Sequence, residues 1–144
     1  MWGIIVAIIS GALMSIQGVF NTGVTEKAGI WITAGFVQLT ALIVCVFGWL
    51  FTGRQGSIPM LFNIDRKYML LGGAIGAFIT FTVIKATESL GPAKAVMLIV
   101  TAQLLMAYGI ELFGLFGVEQ VNFQWRKLIG MVLIIAGIIT FKWE

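Results

Sequence analysis

Apolar residues run through this chain in long blocks, and polar residues collect in the short segments between them. No charged side chain precedes Glu26, and Trp2 to Asn21 supplies 20 residues. At about 1.5 Å per residue such a helix matches the ~30 Å hydrocarbon core of a bilayer, which predicts a first spanning helix over 2–21. After the polar segment Asn21 to Gly29, an uncharged run from Ala28 to Gly53 predicts a second helix over 30–52. The longest linker follows: Gly53-Arg54-Gln55-Gly56-Ser57-Ile58-Pro59 has turn chemistry, and Asp65-Arg66-Lys67 closes it with charge. A third helix is predicted over 68–87, with Tyr68 at interfacial depth. A short turn from Glu88 to Lys94 places Pro92 where a first helical turn tolerates it, and a fourth helix runs over 93–113. The last apolar run, Leu128 to Phe141, is 14 residues, a length that also suits a re-entrant or interfacial segment. Trp125 and Trp143 favour a span over 127–142, because 18 residues of helix, about 27 Å, set one indole near each membrane face. The pattern therefore predicts an all-α membrane protein with five transmembrane helices in a single domain, residues 1–144.

Composition narrows the function classes. The chain is 60% hydrophobic and 10% charged, with a mean hydropathy of +1.04, so its charged side chains are too few to cover a water-soluble globule. It has no histidine and one cysteine, Cys45, inside an apolar run, so neither a metal site, a disulfide nor a cofactor is expected. The net charge of +3 comes from basic residues scattered in ones and twos, which suits membrane flanks and not a nucleic-acid partner. No basic segment precedes the first apolar run, which argues against a signal peptide. No H-E-x-x-H, G-x-S-x-G or Walker-type sequence occurs, so an enzyme and an ATP-driven pump are both disfavoured.

Five helices put the termini on opposite sides of the membrane. The N-terminal side would receive Arg54, Arg66, Lys67, Arg126 and Lys127, and the other side Lys27, Lys85, Lys94 and Lys142. Five against four hardly selects an orientation under the positive-inside rule. Holding Lys85 within the membrane makes it five against three, leaning toward a cytoplasmic N-terminus. One fixed orientation and insertion both ways, giving antiparallel pairs, remain as alternatives.

The polar residues inside the spans are the candidate site. Ser10, Met14, Gln17 and Asn21 share one face of the first helix, and Gly11, Ser15, Gly18 and Thr22 form the neighbouring small stripe. Amides are costly in hydrocarbon without partners or water, so this face should turn inward, as interhelical glue or as the wall of an aqueous cavity. Gln38, Gln103 and Tyr108 extend the candidate cavity set of Ser10, Gln17 and Asn21; Thr80 and Thr82 add hydroxyls to the third helix. Glu111 falls near the end of the fourth helix, where it is either an interfacial charge or a proton or cation site. Lys85 and Glu88, three apart, predict a boundary ion pair. Gly72 with Gly76, and Gly130 with Gly137, give packing faces for helix or dimer contacts, alongside Gly11 and Ser15.

These residues resemble a known family. Gly11-Ala12-Leu13-Met14-Ser15-Ile16-Gln17-Gly18-Val19-Phe20-Asn21, with its Gln-xxx-Asn, is similar to the first helix of the YdcZ-type half-size members of the drug/metabolite transporter superfamily. Gln103, Ile110-Glu111-Leu112-Phe113-Gly114, Arg126-Lys127-Leu128-Ile129-Gly130 and Ala136-Gly137 resemble that family's fourth and fifth helices, so the likeness covers most of the chain. Glu111 stands where the family usually has aspartate. The last helix is also similar to the dimerising helix of small multidrug resistance proteins, but the membrane-centre glutamate those proteins use in their first helix is missing here. The resemblance implies one half of a ten-helix inverted-repeat transporter in the inner membrane, multi-pass, with the second half supplied by an antiparallel copy or by a paralogous five-helix subunit. The expected function is then a secondary transporter subunit in the lipid bilayer, exporting a small metabolite or drug-like molecule by alternating access through a cavity at a dimer interface. A non-transporting assembly subunit that packs through its glycine faces is the alternative.

Overall fold

A computed structural model describes residues 1–54 and 56–142. Five α-helices follow in order: α1, Trp2–Ala28; α2, Ile30–Phe51; α3, Gly72–Leu90; α4, Pro92–Phe113; and α5, Trp125–Lys142. Two 3-10 segments, Ile58–Asn63 and Lys67–Leu71, lie between α2 and α3, and a third, Leu115–Gly117, follows α4. Among the described residues there is no strand. Among the described residues, four helical segments, α1, α2, Lys67–Leu90 and α4, are long and apolar enough to cross a membrane. The 18-residue α5 is not among them, since Arg126, Lys127 and Lys142 all fall within its length. Trp143, which marks one end of the predicted fifth span, lies outside the described residues.

The ends of the helices differ from the sequence expectation in a consistent way. α1 does not stop near residue 21; it continues through Glu26 and Lys27 to Ala28. Polar residues remove a segment from lipid but do not unwind it, so the helix ends only where the backbone turns. That turn is one residue, Gly29, with φ 82° and ψ 155°, a conformation almost reserved for glycine. Its N–H donates to the Thr25 carbonyl at 2.9 Å, and its own carbonyl accepts from the Thr33 N–H at 3.1 Å and the Thr33 hydroxyl at 2.9 Å. Gly91 repeats the device at φ 78°, ψ 160°, so α3 extends to Leu90 and α4 starts at Pro92, replacing the expected turn from Glu88 to Lys94. At its other end α3 starts late, because residues 67–71, Tyr68 included, form a 3-10 turn, a frequent form at helix N-termini.

The chain divides into two compact units, residues 1–89 and the remainder from Leu90. In the first, α1 and α2 form a hairpin about Gly29. α3 packs on both: Val83 and Thr87 approach Gly18 of α1, Phe81 stacks on Trp31 at 5.0 Å, and the Gln38 amide lies over Gly76. In the second unit α4 and α5 pair. The linker between them is fastened to the end of α4, where the Glu111 carbonyl accepts from Val121 N–H at 2.9 Å and the Leu112 carbonyl from the Gln120 side chain at 3.0 Å. The buried apolar set is small, Ala34, Ile84, Ala95 and Met131, and most large aliphatic and aromatic side chains point outward, as lipid-facing helices require.

Gly29→Ala places a Cβ on a backbone conformation that excludes it and is expected to lower stability by about 1–3 kcal/mol. Gly35→Ala, in the interior of α2 with open space at its Cβ position, should leave stability unchanged or raise it by about 0.5–1 kcal/mol. Thermal unfolding of both variants in detergent checks the contrast, and equal melting would show that Gly29 is not the structural stop.

Candidate functional site

Gln17 and Asn21 of α1 lie on the face that meets α2. A cleft of about 520 Å³ opens between these two helices, lined by Gln17, Phe20, Asn21 and Val24 from α1 and by Thr33, Phe36, Val37, Thr40, Ala41, Val44 and Cys45 from α2. Its hydroxyls are already engaged: Thr33 donates to the Gly29 carbonyl and Thr40 to those of Phe36 and Val37. The amides are not. Gln17 is exposed along the cleft, and Asn21, with 9% of its surface exposed, has no hydrogen-bond partner among the described residues. Among the described residues the Thr25 hydroxyl is the enclosed side-chain group left without a partner, so the Asn21 amide stays accessible and the cleft holds unspent hydrogen-bonding capacity within apolar walls. No charged side chain lines it, and it therefore suits a neutral or weakly polar amphipathic molecule better than an ion.

Two residues that the sequence reading passed over lie on the same side of this unit. Eight threonines fold their hydroxyl back onto the carbonyl four residues earlier, the usual arrangement for threonine in or at the end of a helix. Thr25 and Thr87 do not. Both are 8% exposed; the Thr25 hydroxyl is buried without a partner, and the Thr87 hydroxyl lies 4.0 Å from the Cβ position of Gly18. Gly18, Asn21 and Thr25 follow at i, i+3 and i+7 on one face of α1. That spacing was the available signal, hidden because Thr25 sits in the polar segment expected to be a loop.

The other expected cavity residues do not join this cleft. Gln38 faces Gly76 on the α3 side of α2, and Ser10 and Gln103 are exposed and line neither this cleft nor the one in the second unit. Thr80 and Thr82 spend their hydroxyls on Gly76 and Phe78. Of the expected packing residues, Gly76 meets Gln38 and Ser15 bonds back to Gly11, while Gly11, Gly72, Gly130 and Gly137 have open space at their Cβ positions. Lys85 and Glu88 form the ion pair their spacing predicts, at 2.9 Å.

Tyr108 and Glu111 come together in the second unit, in a cleft of about 370 Å³ between α4 and α5. Glu111 is not a free carboxylate, because Lys127 Nζ of α5 lies 3.0 Å from its Oε2. The same ammonium stands 5.1 Å from the centre of the Tyr108 ring, and the Tyr108 hydroxyl accepts from the Gln124 N–H at 3.2 Å. Glu111 thus has as its partner a lysine whose position in the sequence suits a membrane flank.

Thr25→Val removes a hydroxyl that has no partner and is expected to leave thermal stability unchanged or raise it, whereas Thr33→Val deletes a bonded one and should cost about 0.5–1.5 kcal/mol. Equal losses in a melting comparison would mean that the Thr25 hydroxyl is paired.

No curated protein and no solved structure matches the chain. A family model does, over residues 2–140, under the description "Putative inner membrane exporter, YdcZ". With apolar helices of spanning length and a half-size chain of 144 residues, this protein belongs to the YdcZ family of the drug/metabolite transporter superfamily and is a multi-pass protein of the inner membrane.

Proposed function

We propose that this chain is one half of a secondary exporter, in which all five helices cross the membrane and two copies assemble antiparallel to complete the transport path. The observation that carries the reading is the α1–α2 cleft, where the amides of Gln17 and Asn21 stand with unused hydrogen-bonding capacity among apolar side chains. A wall of this kind binds an amphipathic solute weakly enough to release it, through one or two hydrogen bonds and apolar contact. The substrate is accordingly a small, neutral or weakly polar metabolite or drug-like compound. Without a nucleotide-binding sequence, the driving force is an ion gradient or the substrate's own gradient. The fifth span rests on α5 being 18 residues long with Arg126 and Lys127 in its first turn, from which such side chains snorkel to the headgroups. The antiparallel pair rests on the five-against-four distribution of loop charge. A second reading, an assembly subunit that transports nothing, draws on Gly11, Gly72 and Gly137, whose open faces suit contact with another chain.

Transport and assembly measured on the same variants separate the readings. In proteoliposomes Gln17→Ala and Asn21→Ala are expected to change flux by about two- to tenfold, the worth of one hydrogen bond to the solute, with dimerisation unaltered. Weakened dimerisation by about 0.6–2 kcal/mol with flux per dimer intact would make these amides structural glue. Reporters fused to the C-terminus are expected to be active on both sides of the membrane. Adding two or three lysines to the loop after α2 should drive the N-terminus inward and abolish assembly unless an oppositely biased copy is coexpressed; a reporter confined to one side in the unmodified chain would instead point to a paralogous partner.

A further inference from the structure

We infer that the cleft between α4 and α5 binds a zwitterionic phospholipid of the surrounding bilayer, headgroup on the Glu111–Lys127 pair and one acyl chain along the helices below. The cleft is polar at one end and apolar at the other. Glu111 and Lys127 close the polar end, and Leu104 and Ile134 lie seven residues away from them on their respective helices, both in the same direction because α4 and α5 pair antiparallel. Seven residues are about 10 Å of helix, about two-thirds of one ~15 Å half of the hydrocarbon core. The space exists because Ala107 and Gly130 face it, and a Cβ added at Gly130 would meet nothing within 4 Å.

The charges select the headgroup. The Glu111 and Lys127 side chains keep 43% and 38% of their surface exposed, so each retains capacity beyond their mutual bond. Lys127 uses one of its three N–H donors on Glu111, and the second Glu111 oxygen has no partner among the described residues. A purely anionic headgroup meets Lys127 but is repelled by Glu111, and a purely cationic one meets the converse. A head that carries a phosphate and an ammonium side by side satisfies both, phosphate to Lys127 and ammonium to Glu111. With α5 spanning the bilayer, Phe123 and Trp125, which pack edge to face at 5.3 Å beside its start, fall where aromatic residues gather among headgroups. The site lies wholly within the second unit; it rests on the proposed fifth span but not on transport itself.

Native mass spectrometry of the purified full-length protein, given equal amounts of dioleoyl-phosphatidylethanolamine and dioleoyl-phosphatidylglycerol, tests the assignment. The wild-type chain is expected to retain the zwitterionic lipid about tenfold over the anionic one, the worth of one charge-assisted hydrogen bond. Glu111→Gln should bring the ratio near unity, Lys127→Gln should reduce retention of both lipids, and Gly130→Leu should displace the lipid by filling the space of its tail while leaving the ion pair in place. The exchange Glu111→Lys with Lys127→Glu keeps the pair and should keep the preference, so it carries the decision if either single charge variant fails to fold. Equal retention of the two lipids by the wild type, or unaltered retention by Gly130→Leu, overturns the proposal.

Discussion

The exchange of water for lipid as the solvent of the outer surface is the constraint from which the rest of this structure follows. Backbone N–H and C=O groups find no partner in hydrocarbon, so each apolar block has to be a helix, and the connections between blocks have to lie outside the hydrocarbon. Packing inside the chain is correspondingly slight: among the described residues the buried apolar side chains are Ala34, Ile84, Ala95 and Met131, while most phenylalanines and leucines face outward. With apolar contact available to lipid and protein alike, what distinguishes one helix face from another is its small and polar residues. Gly18 and Gly76 mark close approaches of α3, and Gln17 and Asn21 mark the cleft of α1 and α2.

The polar groups form two centres of different chemistry. In the α1–α2 cleft of the first unit they are neutral, amides with unspent bonds beside hydroxyls already bonded to the backbone, able to accept many partners of modest polarity. In the second they are a carboxylate and an ammonium already joined at 3.0 Å and fixed by a linker bonded to the end of α4. A weak, adaptable surface suits a solute that must leave again, and a fixed pair suits a ligand that stays. The division of labour proposed here, passage in the first unit and anchoring in the second, rests on how far each set of polar groups has satisfied itself within the chain.

Helix number and approximate position are legible in the sequence because block length is set by bilayer thickness, a single number common to all the blocks. Helix ends are less legible. Glu26 and Lys27 read as a loop, yet the backbone stays helical until Gly29, since charge decides only whether a residue lies in lipid. Gln17 and Asn21 could be placed together from their spacing on one helix. Gln38 and Gln103 could not, because their position depends on the rotation of a helix about its axis, which 3.6-residue periodicity leaves open when nearly every face is apolar. Lys127 was missed for a related reason: its partner, Glu111, is 16 residues away across a linker, and only the pairing of α4 with α5 brings them together.

Water in the α1–α2 cleft is the central physical claim, and thiol accessibility measures it most directly. In a Cys45→Ala background, necessary because Cys45 itself lines the cleft, single cysteines at Gln17 and at its neighbour Ile16, which does not line it, are exposed to a membrane-impermeant methanethiosulfonate in proteoliposomes. With water in the cleft, the cysteine at position 17 is modified and the one at position 16 is not. Equal protection of both would place the Gln17 face in lipid or in a dry helix contact and would contradict an aqueous path along it.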